Sequence, residues 1–394
     1  MHYLLPLFFW LAVSDSLAFG QDRWLVFPGD LVPQARRKHT IWPRLVAILG
    51  DTRVEPIGSR VFGTIEFWKV WGTEAQMNQI RQINGVEDVV MDEALISTSQ
   101  STNTVLRDVN DPNLAITRQY DAPNDLKLVS WPPLANLPEA GLDVPYQFAN
   151  ENGQDTFVYV IDQGINIAHQ DFTMMHEPPR PADWLFTSDA KRTYTDDDPD
   201  GHGSCVASKA VGHADGVSKF SRLIPVKTVL DSSNLLEAFF ATQDDIIENK
   251  RSSQSVIVCS LASRNPVPLE SWKKPPAPWK TLRRYLDSLT VTYGATIVLS
   301  AGNNASRSEY VDTFPAQFGE DPGLAIIVAG ATTQRGYKSS YSQALKRPTF
   351  WAPGDKIICA AGSGTQGTVV QYGTSFSAPL VHHPLREEHN DFAD

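Results

Sequence analysis

The sequence predicts an α/β protein, a doubly wound parallel sheet preceded by a small α+β module. Three observations carry that expectation. From residue 156 onward, strand-like apolar runs alternate with helical patterns, the ordering of βαβ units with right-handed crossovers. Residues 295–299, Ala-Thr-Ile-Val-Leu, read as a strand covered on both faces. A chain of 394 residues with 42% hydrophobic content can bury a large core and has room for two or three domains.

In chain order, residues 1–18 hold an apolar run from Leu4 to Val13 that is too short to cross a bilayer, then Ser16 and Ala18, small residues suited to a signal-peptidase cut. A secretory signal is expected there, with a buried amphipathic helix as the other reading. No other run of about 18 apolar residues occurs, so no membrane span is expected. Residues 22–97 form the small module, with a strand-like run at 63–70, helical spacing at 74–83 and a second strand at 86–92. Arg36, Arg37 and Lys38 offer either a processing site or a solvated turn, and the turn is expected. Residues 98–113 are polar and rich in Ser, Thr and Asn, as a linker is; linker and arm over 98–120 lead into the main domain at 121–394.

In that domain, strands are expected at 156–161, 223–228, 255–261, 296–300 and 324–329. Helices are expected at 203–211, 235–249 and 279–293, with Ser232 or Ser233 capping the second. A sheet of this kind carries its site at the carboxyl ends of its strands. A net charge of −11 without an offsetting basic patch disfavours nucleic acid as a partner.

Three distant segments bear chemistry: Phe-Val-Tyr-Val-Ile-Asp-Gln-Gly-Ile at 157–165, Asp-Gly-His-Gly-Ser-Cys-Val-Ala-Ser at 200–208, and Tyr-Gly-Thr-Ser-Phe-Ser-Ala-Pro at 372–379. Asp162, His202 and Ser375 supply the carboxylate, base and nucleophile that acyl transfer by serine requires. Pro379 is expected in the first turn of the helix that Ser375 opens. Taken singly, Asp162 would be a turn residue or helix cap, His202 loop filler, Ser375 a cap, and Asn303 a turn residue. Their joint occurrence in the order Asp, His, Ser is what points to catalysis.

With Ser-Ala-Gly-Asn at 300–303, these segments resemble the subtilase family of serine peptidases. The resemblance implies a subtilisin-like catalytic domain and a secreted serine endopeptidase that needs no cofactor to hydrolyse peptide bonds. It implies that Asp162 orients His202, that His202 is general base then acid, and that Asn303 and the Ser375 amide bind the oxyanion. Substrate peptide would add as a strand along Ser260, Leu261, Ala262 and Ser263, where Ala262 and Ser263 replace two glycines of the family. Residues 22–97 then resemble an inhibitor-type pro-domain, an intramolecular inhibitor whose tail lies in the cleft until it is cut at 98–113 or just before. Secreted fungal members are the most similar.

Cys205, Cys259 and Cys359 cannot all pair within one molecule, and their spacing is not that of a zinc site. Cys259 and Cys359 can bridge, but buried free thiols are expected. Cys205 follows His202 by three residues, and the resemblance implies a free thiol there that is sensitive to mercurials. The acidic run of Asp196, Asp197, Asp198 and Asp200 is read as a solvated loop, with structural calcium as the alternative. Asn304-Ala305-Ser306 is a glycosylation sequon expected to stay unused beside Asn303. After Val381 the sequence turns polar, and Pro384 would break a helix within two turns. A domain truncated after the nucleophile helix begins is therefore expected. That feature favours the competing reading of a catalytically inactive subtilase-like protein or fragment with a binding or inhibitory role; a lipase or esterase ranks third.

Overall fold

The computed structural model describes residues 22–97, 101–102, 116–131, 143–150, 152–192, 198, 200–347 and 349–381. The expected signal segment, most of the linker, Asp196 and Asp197, and the polar tail after Val381 lie outside the described residues. The chain divides into two compact units, Met1–Asp92 and Glu93–Asp394.

The first unit holds β1 (Arg23–Pro28), α1 (Trp42–Leu49), β2 (Val54–Ile57), β3 (Phe67–Trp71), α2 (Glu74–Ile80) and β4 (Val86–Met91). Its strands form an antiparallel sheet in the order β2-β3-β1-β4. Trp68, Val26, Leu45, Val70, Met77 and Ile80 share one core. A capping box starts α2, with the Gln76 amide donating to Thr73 Oγ1 and the Thr73 amide to Gln76 Oε1. The strand, helix and strand expected at 63–92 are thus β3, α2 and β4. Arg37 departs from the solvated turn expected of its cluster: it is buried and donates to the carbonyls of Val32 and Ile65.

The second unit begins with β5 (Leu95–Ser97), then β6 (Phe157–Asp162), β7 (Leu185–Phe186), α3 (His202–Val211), β8 (Arg222–Lys227), α4 (Ser232–Glu248) and β9 (Ser255–Cys259). Next come β10 (Leu261–Ser263), α5 (Ala277–Asp287), β11 (Thr296–Ser300), β12 (Ile326–Thr332), β13 (Phe350–Pro353), β14 (Ile357–Ala360), β15 (Thr368–Gln371) and α6 (Thr374–Val381). Seven strands form a wholly parallel sheet in the order β7-β8-β6-β9-β11-β12-β13. Strand order reverses between β6 and β9, so a crevice opens at their carboxyl ends. Asp162 ends β6 there, and Ser260 follows β9.

Each expected strand of the sheet is present within a few residues of its expected bounds. The edge strands β7 and β13 were not expected, being short and bonded to one neighbour each. Residues 261–263 leave the main sheet to become β10. The cap of α4 is Asp231 rather than Ser232 or Ser233: its carboxylate accepts from the Asn234 amide at 2.8 Å, and Ser233 Oγ donates to the same carboxylate.

The cysteines pair differently from the expectation. Cys205 and Cys359 form a disulfide with their Cα atoms 5.0 Å apart, and Cys259 alone is a buried free thiol. The reason is topological: β14 packs on α3 and brings Cys359 to Cys205, whereas Cys259 ends a central strand. A free thiol beside His202, and the mercurial sensitivity attached to it, lose their basis.

Candidate active site

Two helix beginnings and two strand ends meet in the crevice. Asp162 is buried at the end of β6 and its Oδ2 lies 2.8 Å from His202 Nδ1, a partner that places the ring proton on Nδ1. The Gln163 amide donates to the other carboxylate oxygen at 2.9 Å. His202 is the first residue of α3. The glycines around it are there for steric reasons: Gly201 has a left-handed φ of +74°, and a Cβ on Gly203 would press on the Gly164 carbonyl and lie 2.9 Å from Asp162 Cβ. Only glycine at 203 lets the helix approach Asp162 this closely.

Carboxylates satisfy the start of α3. Asp200 Oδ1 accepts from the His202 amide at 3.1 Å and Asp198 Oδ2 from the Ser204 amide at 2.7 Å. Asp198 is therefore not a solvated loop residue. Burial is the chief cause that pushes its pKa up to about 7; the Ser204 bond opposes the rise, and the Asp162 and Asp200 charges add to it. At His202, complete burial works against the charged ring. The charge and hydrogen bond of Asp162, with Asp200 and Asp198 behind, outweigh it and hold the pKa above the ordinary value.

Ser375 is the second residue of α6, and every residue of that helix from Thr374 to Leu380 is buried. The Thr374 amide donates to Asn303 Oδ1 at 2.9 Å, and the Gly302 amide donates to Thr374 Oγ1 at 3.0 Å. The Ser375 hydroxyl lies 3.5 Å from the Ser260 carbonyl oxygen, at the outer limit of a hydrogen bond. His202 Nε2 is buried and has no hydrogen-bond partner among the described residues, while the His202 ring packs 5.6 Å from that of Phe376. Pro379 lies in the second turn of α6, not in its first, because the helix already begins at Thr374.

The strand of Leu261, Ala262 and Ser263 is already paired. It runs antiparallel to β5, with Leu261 opposite Ser97, Ala262 opposite Ile96 and Ser263 opposite Leu95. On the other side, the Leu95 amide donates to the Leu230 carbonyl at 2.9 Å and Ala94 bridges Asp231. Ser97 Oγ donates to Asp200 Oδ2 at 3.3 Å. Sequence reasoning missed Thr374, Asp200, Asp198 and the Leu230–Asp231 edge. Thr374 and Asp200 stand inside the quoted motifs and could have been read as helix-start residues. Among the described residues, no group of three His, Cys, Asp or Glu side chains is placed to hold a metal ion.

Residues 153–383 match the model described as the subtilase family. A subtilisin-like protease 2 of Trichophyton rubrum is 26% identical over 242 residues, covering 60% of this chain and 51% of that protein. A cuticle-degrading serine protease of Arthrobotrys oligospora is 27% identical over 241 residues, covering 60% of this chain and 53% of that protein. The chain thus spans about half the length of these relatives. The crystal structure of a cold-adapted subtilisin-like serine proteinase aligns with a TM-score of 0.48 at 24% identity, covering 66% of this chain and 82% of that one. The match at 153–383 takes in more than half of the 394 residues, including Asp162, His202, Asn303 and Ser375, and the chain accordingly belongs to the subtilase family.

Proposed function

We propose that this protein is a serine endopeptidase, made as a secreted proenzyme, that hydrolyses peptide bonds through Asp162, His202 and Ser375. The observation that carries the reading is the buried Asp162–His202 pair at 2.8 Å, set where the strand order reverses and beside the helix start that bears Ser375. A substrate peptide adds to β10 as Leu95–Ser97 does. His202 Nε2 takes the proton of the Ser375 hydroxyl as that oxygen attacks the scissile carbonyl. Asp162 holds the ring tautomer and stabilises the imidazolium. The oxyanion accepts from Asn303 Nδ2 and the Ser375 amide. His202 then returns the proton to the leaving amine, and water repeats the sequence to release the acyl group. All these groups belong to the chain, so the reaction requires no cofactor.

The proenzyme part of the reading rests on β5. It fills the strand position expected of substrate, and residues 101–102 pair with β15, so the chain is held on both flanks of 98–100. Residues 22–97 then serve as the pro-domain, and self-processing falls in the linker just beyond Ser97. The apolar run at 4–13 and the Cys205–Cys359 disulfide both suit an exported protein.

Two observations favour the competing reading of a non-catalytic member: β5 occupies the strand, and Nε2 of His202 has no partner among the described residues. A fluorophosphonate probe and N-terminal sequencing separate the two readings. The peptidase should be labelled in the parent and not in Ser375→Ala, and only the parent should cut itself within 98–113. An unlabelled, uncut parent would sink the proposal.

A further inference from the structure

The helix that carries Ser375 has a proline where its hydrogen-bond ladder needs a donor. A helical carbonyl accepts from the N–H four residues on, and the residue four after Ser375 is Pro379, inside α6. Proline has no N–H to give, and its ring crowds the carbonyl of the residue four before it. The Ser375 carbonyl is buried, so water is a poor substitute. The hydroxyl of Ser260 stands in for the missing amide, donating to Ser375 O at 2.8 Å between residues that are 2% and 0% exposed.

The same pair meets twice, since the Ser375 hydroxyl lies 3.5 Å from the carbonyl oxygen of Ser260. Ser260 also joins β9 to β10, the strand proposed to hold the substrate peptide, which here pairs with Leu95–Ser97. We infer that Ser260 is a positioning residue. Its hydroxyl replaces the donor lost at Pro379, fixes the backbone torsion on the carbonyl side of Ser375, and so ties the direction of the nucleophile to the strand that presents the peptide. This role is additional to lining the substrate strand, which would use only the Ser260 backbone. It rests on the reading of Ser375 as nucleophile.

The test is a cycle on the full, self-processed chain with Ser260→Ala, Pro379→Ala and the double variant. Ser260→Ala should lower kcat on a chromogenic peptide by about 10- to 100-fold, the scale of loss that a small misplacement of a reacting group causes. KM should stay within about twofold, as expected when only transition-state geometry suffers. Alanine at 379 restores an N–H to the ladder, so adding Ser260→Ala to Pro379→Ala should cost no more than about threefold. Equal losses in both backgrounds, or no loss of kcat in Ser260→Ala, would overturn the inference. If the parent neither turns over the peptide nor takes the fluorophosphonate probe, the peptidase reading fails by itself. The anchoring is then read by amide exchange: Ser260→Ala should speed exchange across 376–381 by about tenfold, and Pro379→Ala should cancel the effect. Unchanged exchange would overturn the anchoring as well.

Discussion

The beginnings of α3 and α6 face the same crevice and solve the same problem with opposite electrostatics. Each presents backbone N–H groups that the helix itself cannot satisfy. At α3 the acceptors are carboxylates, Asp200 for the His202 amide and Asp198 for the Ser204 amide. At α6 the acceptor is the neutral Asn303 amide, which takes the Thr374 N–H, and the first turn holds no acidic residue. The difference teaches how a site separates charge. In the proposed mechanism, anions behind His202 favour a ring that becomes cationic. The uncharged start of α6 would keep its positive dipole end available to the proposed oxyanion.

The strongest way to break this comparison is to put a carboxylate at the second helix. If Asn303 is the proposed oxyanion donor, Asn303→Leu should lower kcat by about 10²- to 10³-fold, a scale set by the loss of such a donor in a subtilisin. Asn303→Asp should fall further, because its charge opposes the oxyanion although it can still accept from Thr374. Parent-like kcat in Asn303→Asp would show that the neutrality of α6 does not matter.

The two helices also differ in how they are anchored. A disulfide to β14 holds α3, whereas α6 relies on burial and hydrogen bonds. Replacing Cys205 and Cys359 by alanine should lower the unfolding free energy by about 2–5 kcal/mol, measured by urea titration. A smaller loss would mean that the packing of α3 suffices without the bond.

Asp198 sharpens the comparison through stability. Its pKa rises on folding from 3.8 to about 7, so the folded protein binds the proton more tightly. That contribution is complete below the unfolded value and is lost as pH climbs through about 7. Asp198→Asn should remove the part of the decline in Tm that falls between those limits while keeping an acceptor for Ser204. An identical decline in parent and variant would contradict the burial cause.

The smallest effect should come from Asp200→Asn. Removing a charge that raises the His202 pKa should move the acid limb of the kcat/KM profile to lower pH, because the base stays neutral further into acid. A limb that stays in place would mean that Asp200 does not contribute to that pKa.

Much of this was legible before any coordinates. Asp162, His202, Asn303 and Ser375 stand in short motifs whose glycines and apolar flanks reflect local needs, such as the close approach at Gly203. The sheet's inner strands declared themselves as apolar runs because both faces are covered. What stayed hidden depended on distant chain. Cys205 and Cys359 are 154 residues apart and meet only because β14 lies on α3. Asp198 looked solvated because nothing in an acidic run reveals that one carboxylate turns inward to cap a helix. Leu185–Phe186 and Phe350–Pro353 are strands through one neighbour each, a property of the sheet rather than of their residues.

The disulfide has a further consequence if the proposed peptidase can cut its own chain. It closes the chain from just after His202 to the hairpin that leads to Ser375, and the enclosed length includes Asn303 and five of the seven sheet strands. A backbone nick anywhere within residues 206–358, for instance beside the exposed Tyr337, leaves both fragments covalently joined. A protein clipped there would migrate as one band until it is reduced, and His202 and Ser375 would stay covalently joined.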